Sequence, residues 1–188
     1  RAGYCKKFKN QSQNGVRSFK KKAPLEVNPF LIDKIKKEQV SDLEVFLHYD
    51  TQWDEMWSYV GAKTRQRWLW YLIDAKTGLV LAWQTGRRKN SVLKKLLDKV
   101  RHLPIKIAYT DDWAAYSACF PEEYLHQIGK RNTWKIERKN LNFRTHIKRL
   151  SRKTICFSKN EKIHDNVIGM YIEKYYFKKG GYAKQQYA

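Results

Sequence analysis

The sequence predicts an α/β domain, a mixed five-stranded sheet with helices on both faces, preceded by a basic segment. Three observations carry this expectation. Three apolar, aromatic runs of strand length follow one another across short turns. A run with helical spacing then separates them from a fourth strand, which calls for a crossover connection and a parallel pairing. Two long helical stretches near the C-terminus supply cover for the second face.

The elements follow in order. Residues 1–44 are rich in lysine (Lys6, Lys7, Lys9, Lys20, Lys21, Lys22, Lys34, Lys36, Lys37) and poor in large apolar side chains. They read as a solvated basic arm or, over Gln11 to Lys22, as the end of a small DNA-binding helix with Val16 and Phe19 packed inward. Ala23-Pro24 and Asn28-Pro29 interrupt the chain, and a short helix is expected around Phe30 to Gln39. Val45 to Val60 is β-branched and aromatic, the first strand. Gly61 to Thr64 turns. Gln66 to Ile73 is the second strand and Leu79 to Gln84 the third, joined by Asp74-Ala75-Lys76-Thr77-Gly78; such short turns make an antiparallel meander. Asn90-Ser91 offers an N-cap for a helix with Val92, Leu93, Leu96, Leu97 and Val100 on one face, ended before Pro104. Ile105 to Tyr109 is the fourth strand, Ala114 to Phe120 a short helix and Tyr124 to Ile128 the fifth strand. Asn132 to Leu150 is a long basic helix. Asn160 to Phe177 is another, with Ile163, Val167, Met170, Tyr171 and Lys174 on one side. The order βββ-α-β-α-β-α is that of the ribonuclease H-like fold, here over residues 45–178, with 179–188 as a C-terminal tail.

Composition narrows the partners. The 188 residues carry 39 Lys and Arg against 18 Asp and Glu, a formal net charge of +21. Such an excess repels itself unless a polyanion neutralises it, which makes nucleic acid the leading partner and an anionic membrane surface the second. The 7 Trp and 12 Tyr build a core and exclude a disordered basic tail. No apolar run approaches the roughly 20 residues that span a bilayer, and no secretory signal is visible. Cys5, Cys119 and Cys156 form no Cys-x-x-Cys pair and suit a reducing cytoplasm; Cys119 and Cys156 read as small packing residues.

Scarce acids in a basic chain need a reason where they fall in strand cores. Asp54 shares a strand face with Gln52 and Met56, while Glu55 points with Trp53 and Trp57, so only one of the two is expected to aim at a common site. Asp111 follows Ile105, Ile107 and Tyr109 at period two and ends the fourth strand, where open α/β sheets place their sites. With the first and fourth strands adjacent, Asp54 and Asp111 lie side by side, and a hard divalent ion, Mg²⁺ or Mn²⁺, relieves their repulsion. Glu137 is a lone carboxylate on the basic helix, able to reach the same site or simply to pair with Lys135 or Arg138. Asn140 and Leu141 follow, and Arg144 lies two turns on along nearly the same face, suited to a phosphate. Arg138, Lys139, Lys148, Arg149, Arg152 and Lys153 are expected on the outer faces of this helix and, with Asn140 and Arg144, make up the expected DNA-binding set. His126 and His164 read as packed or surface histidines, with an accessory role as the other reading. Trp53, Trp57, Trp68, Trp70 and Trp113 read as core rather than as base-stacking platforms.

Several blocks resemble the catalytic region of bacterial insertion-sequence transposases of the insertion sequence one family. They are Asp54-Glu55-Met56-Trp57-Ser58-Tyr59-Val60-Gly61-Ala62-Lys63, Arg65-Gln66-Arg67-Trp68-Leu69, Thr110-Asp111-Asp112-Trp113 and Ile136-Glu137-Arg138-Lys139-Asn140-Leu141-Asn142. Arg152-Lys153, Phe157-Ser158-Lys159 and His164-Asp165-Asn166-Val167-Ile168-Gly169 extend the match. The resemblance implies the family's Asp-Asp-Glu triad on Asp54, Asp111 and Glu137, two bound Mg²⁺ or Mn²⁺ ions, and cleavage and strand transfer of double-stranded DNA by a homo-oligomer at the bacterial nucleoid, without a membrane. Asp112 stands where relatives commonly carry Gly and adds an acid beside the catalytic one. Relatives also carry an upstream zinc-binding segment and a helix-turn-helix, of which residues 1–44 hold at most the end. A host nuclease or junction resolvase of the same fold would cut without joining. A transposase-derived DNA-binding protein would lack a working site, and a basic assembly protein would make the ordered acids a coincidence.

Overall fold

A computed structural model of the chain describes residues 23–30, 48–129, 133–151 and 153–177. The expected helices over Gln11 to Lys22 and Phe30 to Gln39 fall outside the described residues, apart from Phe30, as does the start of the first strand before His48. The strands are β1 (Tyr49–Val60), β2 (Ala62–Asp74), β3 (Val80–Gly86), β4 (Ile105–Thr110) and β5 (Leu125–Ile128). The helices are α1 (Asn90–Val100), α2 (Ala114–Cys119), α3 (Trp134–His146) and α4 (Glu161–Tyr176), with a 3-10 turn at Lys148–Leu150. The sheet order is β3-β2-β1-β4-β5. β1 to β3 pair antiparallel, while β4 runs parallel to β1 and β5 parallel to β4. This is the ribonuclease H-like sheet that the element order predicts.

Alternation along the strands builds two cores. Trp53, Trp70, Leu72 and Leu81 face α1 and α2, meeting Leu93, Leu96, Leu97, Val100, Ala115 and Tyr116. Met56, Leu69, Tyr71, Ile73 and Val80 face α3 and α4, meeting Ile136, Phe143, Ile168 and Ile172. β2 lies between β3 and β1 and is apolar on both sides over residues 69–73, as a strand segment covered twice must be.

Several expected boundaries move. β2 starts at Ala62 rather than after Thr64, because Gly61 alone turns the chain, at φ 79°, a conformation that costs Gly little. The first helix is capped at Lys89, not at Asn90 or Ser91, and makes no side-chain capping bond. The basic helix does not run to Leu150. It ends at His146, Ile147 turns extended, and Lys148 and Arg149 lie in the 3-10 turn. Ile147 and Leu150 join the α3/α4 core together with Phe143. On α4 the buried line is His164, Ile168 and Ile172 at i, i+4, i+8, while Ile163 and Met170 are exposed. Asn160 caps this helix, its side chain accepting from the Ile163 amide. Cys156 is exposed rather than packed.

Residues 24–28 lie along the edge of β3. Val27 bridges Ala82, the Asn28 amide donates to Leu81 O (2.8 Å), and the Trp83 amide donates to Glu26 O (3.0 Å). Gly169 on α4 permits this seat, since a Cβ there would stand 2.4 Å from both Pro24 and Trp83.

Candidate active site

β1 and β4 remain paired only as far as Gln52↔Tyr109. Beyond that rung β1 continues beside β2, while β4 ends at Thr110 and Asp111 leaves the sheet. The acids meet at this step. Oxygens of Asp54, Glu55 and Asp111 lie within 4.8 Å of one another. Asp54 and Asp111 come together as expected, and alternation does send Asp54 and Glu55 to opposite faces. The expectation that only one of them aims at the common point fails. Among the described residues no strand pairs with β1 on this side between Gln52 and the Val60–Ser158 bridge, and both carboxylates approach Asp111 there.

Asp54 is held from the α3 side. Asn140 Nδ2 donates to its Oδ2, and Tyr71 Oη donates to Asn140 Oδ1 (2.8 Å), which fixes the amide. The Glu55 amide donates to Asp54 Oδ1 (2.7 Å). α3 is docked by the same face of β1: Gln52 Oε1 accepts from the Ile136 amide (3.0 Å), satisfying a donor that the N-cap Thr133 leaves open. Burial pushes the Asp54 carboxyl up to about 7, with the Asn140 hydrogen bond opposing and the charges of Glu55 and Asp111 adding to the rise.

Glu55 is treated differently. It accepts from Arg88 Nε at Oε1 (2.8 Å) and from Tyr116 Oη at Oε2 (2.6 Å). Burial raises its carboxyl while Tyr116 and Arg88 pull it back. Asp111 is exposed, and its Oδ1 accepts from the Trp113 amide (3.3 Å). Asp112 is exposed beside it. The donors that converge are hard oxygens only, which fits Mg²⁺ or Mn²⁺ and not a soft metal.

Glu137 is not among the converging carboxylates. It sits exposed on the first turn of α3, within 3.3 Å of Thr133 Oγ1, one turn before Asn140. The cations spread apart. Arg138 is exposed, but Lys139 is buried, its ammonium 4.2 Å from the Tyr176 ring centroid, and burial lowers it to about 8. Lys139 therefore leaves the outer face expected for it. Arg144 is half-buried, and its charge acts on the Tyr71 hydroxyl. Lys148 and Lys153 are exposed, Arg149 Nη1 donates to Ser158 Oγ (3.1 Å), and Arg152 falls outside the described residues.

His126 bonds Thr110 Oγ1 (2.7 Å) next to Asp111. His164 is fully buried between Ser58 Oγ (3.0 Å) and Ser158 Oγ (2.8 Å), with Arg67 paired to Asp165 and Glu161 beside it. Trp53 and Trp70 are core, whereas Trp57, Trp68 and Trp113 are half-buried. Sequence reasoning missed Arg88 and Tyr116. The signal was there in part, since a second acid beside Asp54 in an apolar strand needs a cation on its own face.

Residues 49–178 match the family described as IS1 transposase. The chain is 48% identical over 124 residues to the insertion element iso-IS1n protein InsB of Shigella dysenteriae, covering 66% of this chain and 94% of that protein. It is 44% identical over 119 residues to the insertion element IS1 protein InsB of Shigella sonnei, covering 63% of this chain and 90% of the relative. Among solved structures it is similar to a chain of the simian T-cell lymphotropic virus intasome in complex with PP2A regulatory subunit B56 gamma, with TM-score 0.49 and 17% identity over 67% of this chain and 47% of that one. It is also similar to the catalytic core domain of BIV integrase, with TM-score 0.37 and 11% identity over 67% of this chain and 98% of that one.

Proposed function

This chain belongs to the IS1 transposase family, and from that premise we propose that it cuts DNA at the ends of an insertion sequence and joins those ends to target DNA. The observation that carries the proposal is the meeting of Asp54 and Asp111 at the end of β4, beneath a helix that carries Glu137, Asn140 and Arg144. In this reading Asp54 and Asp111 would hold two Mg²⁺ or Mn²⁺ ions, and Glu137, which stands apart from them on the first turn of α3, would complete the ligand set. Such ions, when bound, lower the pKa of an attacking water or 3′-hydroxyl and neutralise the leaving oxygen of an in-line displacement.

The chemistry balances without an oxidant or reductant. In the first step a water oxygen bonds to the scissile phosphorus, the P–O3′ bond breaks, and a 3′-hydroxyl is released. In the second, that hydroxyl attacks a target phosphodiester, one P–O bond forming as another breaks. Asn140, oriented by Tyr71, holds Asp54 in place. Arg144 is read as the contact to a phosphate beside the scissile bond, its planar fork matching two oxygens. Arg138, Lys148, Arg149, Arg152 and Lys153 hold duplex backbone without reading sequence, whereas the buried Lys139 is left out of that set. The reading extends to a catalytic domain over 45–178, a basic segment before it, and a homo-oligomer working on DNA in the bacterial cytoplasm. Among the described residues no helix is long and apolar enough to cross a membrane.

The test is an oligonucleotide assay with duplexes from the ends of the protein's own element. Mg²⁺-dependent nicking followed by joining to a second duplex is expected. Nicking without joining would favour a nuclease or resolvase, and no metal-dependent nicking would overturn the proposal.

A further inference from the structure

Glu55 is the acid that the Asp-Asp-Glu reading does not use, yet it is the most enclosed of the cluster. Its side chain is 2% exposed. A carboxylate this deeply buried is costly unless it is both paired and hydrogen-bonded, and Glu55 is both. Arg88 takes one oxygen and Tyr116 the other.

Those two partners lead to the same place. The Arg88 guanidinium lies between two indoles, 5.1 Å from the Trp68 centroid and 4.7 Å from that of Trp113. Tyr116 meets Trp113 edge-on at 5.6 Å, and its amide donates to Trp113 O (3.0 Å). Trp113 in turn gives its amide to Asp111 Oδ1. From β1, the loop after β3 and α2, everything attached to Glu55 converges on the residue that anchors Asp111. Asp111 lies past the last strand pair and is exposed, so the sheet itself does not fix it.

We propose that Glu55, Arg88 and Tyr116 form a clamp that holds Asp111 against Asp54, making Glu55 a positioning residue of the ion site and not an ion ligand. The proposal rests on the reading of Asp54 and Asp111 as ion ligands. Arg88 cancels the charge of Glu55 and both of its oxygens are engaged. The partners of Asp54 are an amide side chain and a backbone N–H, both neutral, and its charge remains available to an ion. Partners of this kind behind a ligand set orientation, and losing one weakens metal affinity roughly 10- to 100-fold.

Two charge-preserving variants test it: Tyr116→Phe, which keeps the ring, and Arg88→Lys, which keeps the cation but loses the fork. Mn²⁺ affinity is measured on the full chain without DNA, by titration calorimetry and by the electron paramagnetic resonance signal of free Mn²⁺, beside thermal unfolding of each variant. Each variant is expected to bind Mn²⁺ roughly tenfold more weakly. In cleavage, raising Mn²⁺ is expected to restore the wild-type plateau rate, which a merely misfolded variant does not show. Unchanged Mn²⁺ affinity in folded variants overturns the clamp. Tighter binding by Tyr116→Phe also overturns it, because a Glu55 oxygen freed to coordinate marks Glu55 as a ligand. Should one variant melt below the assay temperature, the other decides. A wild-type chain that binds no Mn²⁺ overturns the ion-site reading itself, an outcome separate from failure of the clamp.

Discussion

The two faces of the sheet handle neighbouring acids of β1 in opposite ways. On the α3/α4 side, the groups that act most strongly on Asp54 are Asn140, Glu55 and Asp111, none of them cationic, and its carboxyl rises to about 7. On the α1/α2 side, Glu55 receives an arginine and a tyrosine. A chain with 39 basic residues thus spends one on Glu55 and sets a neutral amide beside Asp54. The difference teaches how adjacent residues of similar chemistry are given separate duties. An internal cation makes a carboxylate structural, whereas neutral donors orient a carboxylate and leave its charge for a cation from solution.

The sharpest way to break this comparison is to neutralise each acid in turn. Asp54→Asn, like Asp111→Ala and Glu137→Ala, is expected to cut single-turnover cleavage by on the order of a thousandfold or more while duplex binding persists. Glu55→Gln is expected to cost roughly tenfold, with the loss moving to the metal requirement. Equal losses at Asp54 and Glu55 would erase the distinction between the faces.

A second prediction concerns the stability of the α4 contact. Burial lowers His164 from 6.5 to about 4, so the folded protein holds it neutral. Above pH 6.5 its contribution is complete. As pH falls below 6.5 the unfolded chain takes up the proton and the folded chain does not, and stability drops until about pH 4. The expected loss is about 3 kcal/mol at most. Urea unfolding of wild type and His164→Gln across that range checks it; identical pH slopes in the two proteins would refute the assignment.

Arg144 sharpens the α3 side. Arg144→Ala is expected to slow cleavage by about 2 kcal/mol, roughly thirtyfold, and Arg144→Lys by less. Duplex affinity should stay close to wild type in both, because many other cations contribute. Cleavage lost only in proportion to lost folding would make Arg144 a structural residue.

The smallest effect is expected at the exposed cations. Duplex affinity should fall steeply as salt rises, and replacing Lys148 and Lys153 with Gln should reduce the slope of log affinity against log salt by roughly 0.9 for each phosphate contact removed. A slope unmoved by both changes would take these lysines off the DNA path.

Much of this was legible in the chain. The meander, the crossover helix and the parallel fourth strand follow from period-two and helical spacing with short turns between, and they bring Asp54 beside Asp111. What alternation does not encode is where a neighbouring strand stops. Glu55 reaches the acid cluster because β4 ends one residue before Asp111, a tertiary fact that no local pattern in β1 carries. The end of α3 was hidden for another reason: no Pro or Gly marks Ile147, and Phe143, Ile147 and Leu150 keep the i, i+4, i+7 spacing of an unbroken helix face. Lys139 read as an outward cation because charge alone does not reveal an aromatic ring waiting for its ammonium.

The strip over residues 24–28 has a consequence for how the molecule is made. Its seat is shared between the two ends of the domain: Trp83 Nε1 donates to Leu25 O (2.9 Å), while the Leu25 amide donates to Glu173 on α4 (3.3 Å) and Pro24 lies against Gly169. A ribosome synthesises the early half of that seat long before the late half. Until α4 leaves the exit tunnel, the strip can make its bonds to Leu81 and Trp83 on β3 but not the Leu25–Glu173 bond or the Pro24–Gly169 contact. Completion of the last helix therefore supplies the second half of the seat for a strip whose first half is already on β3.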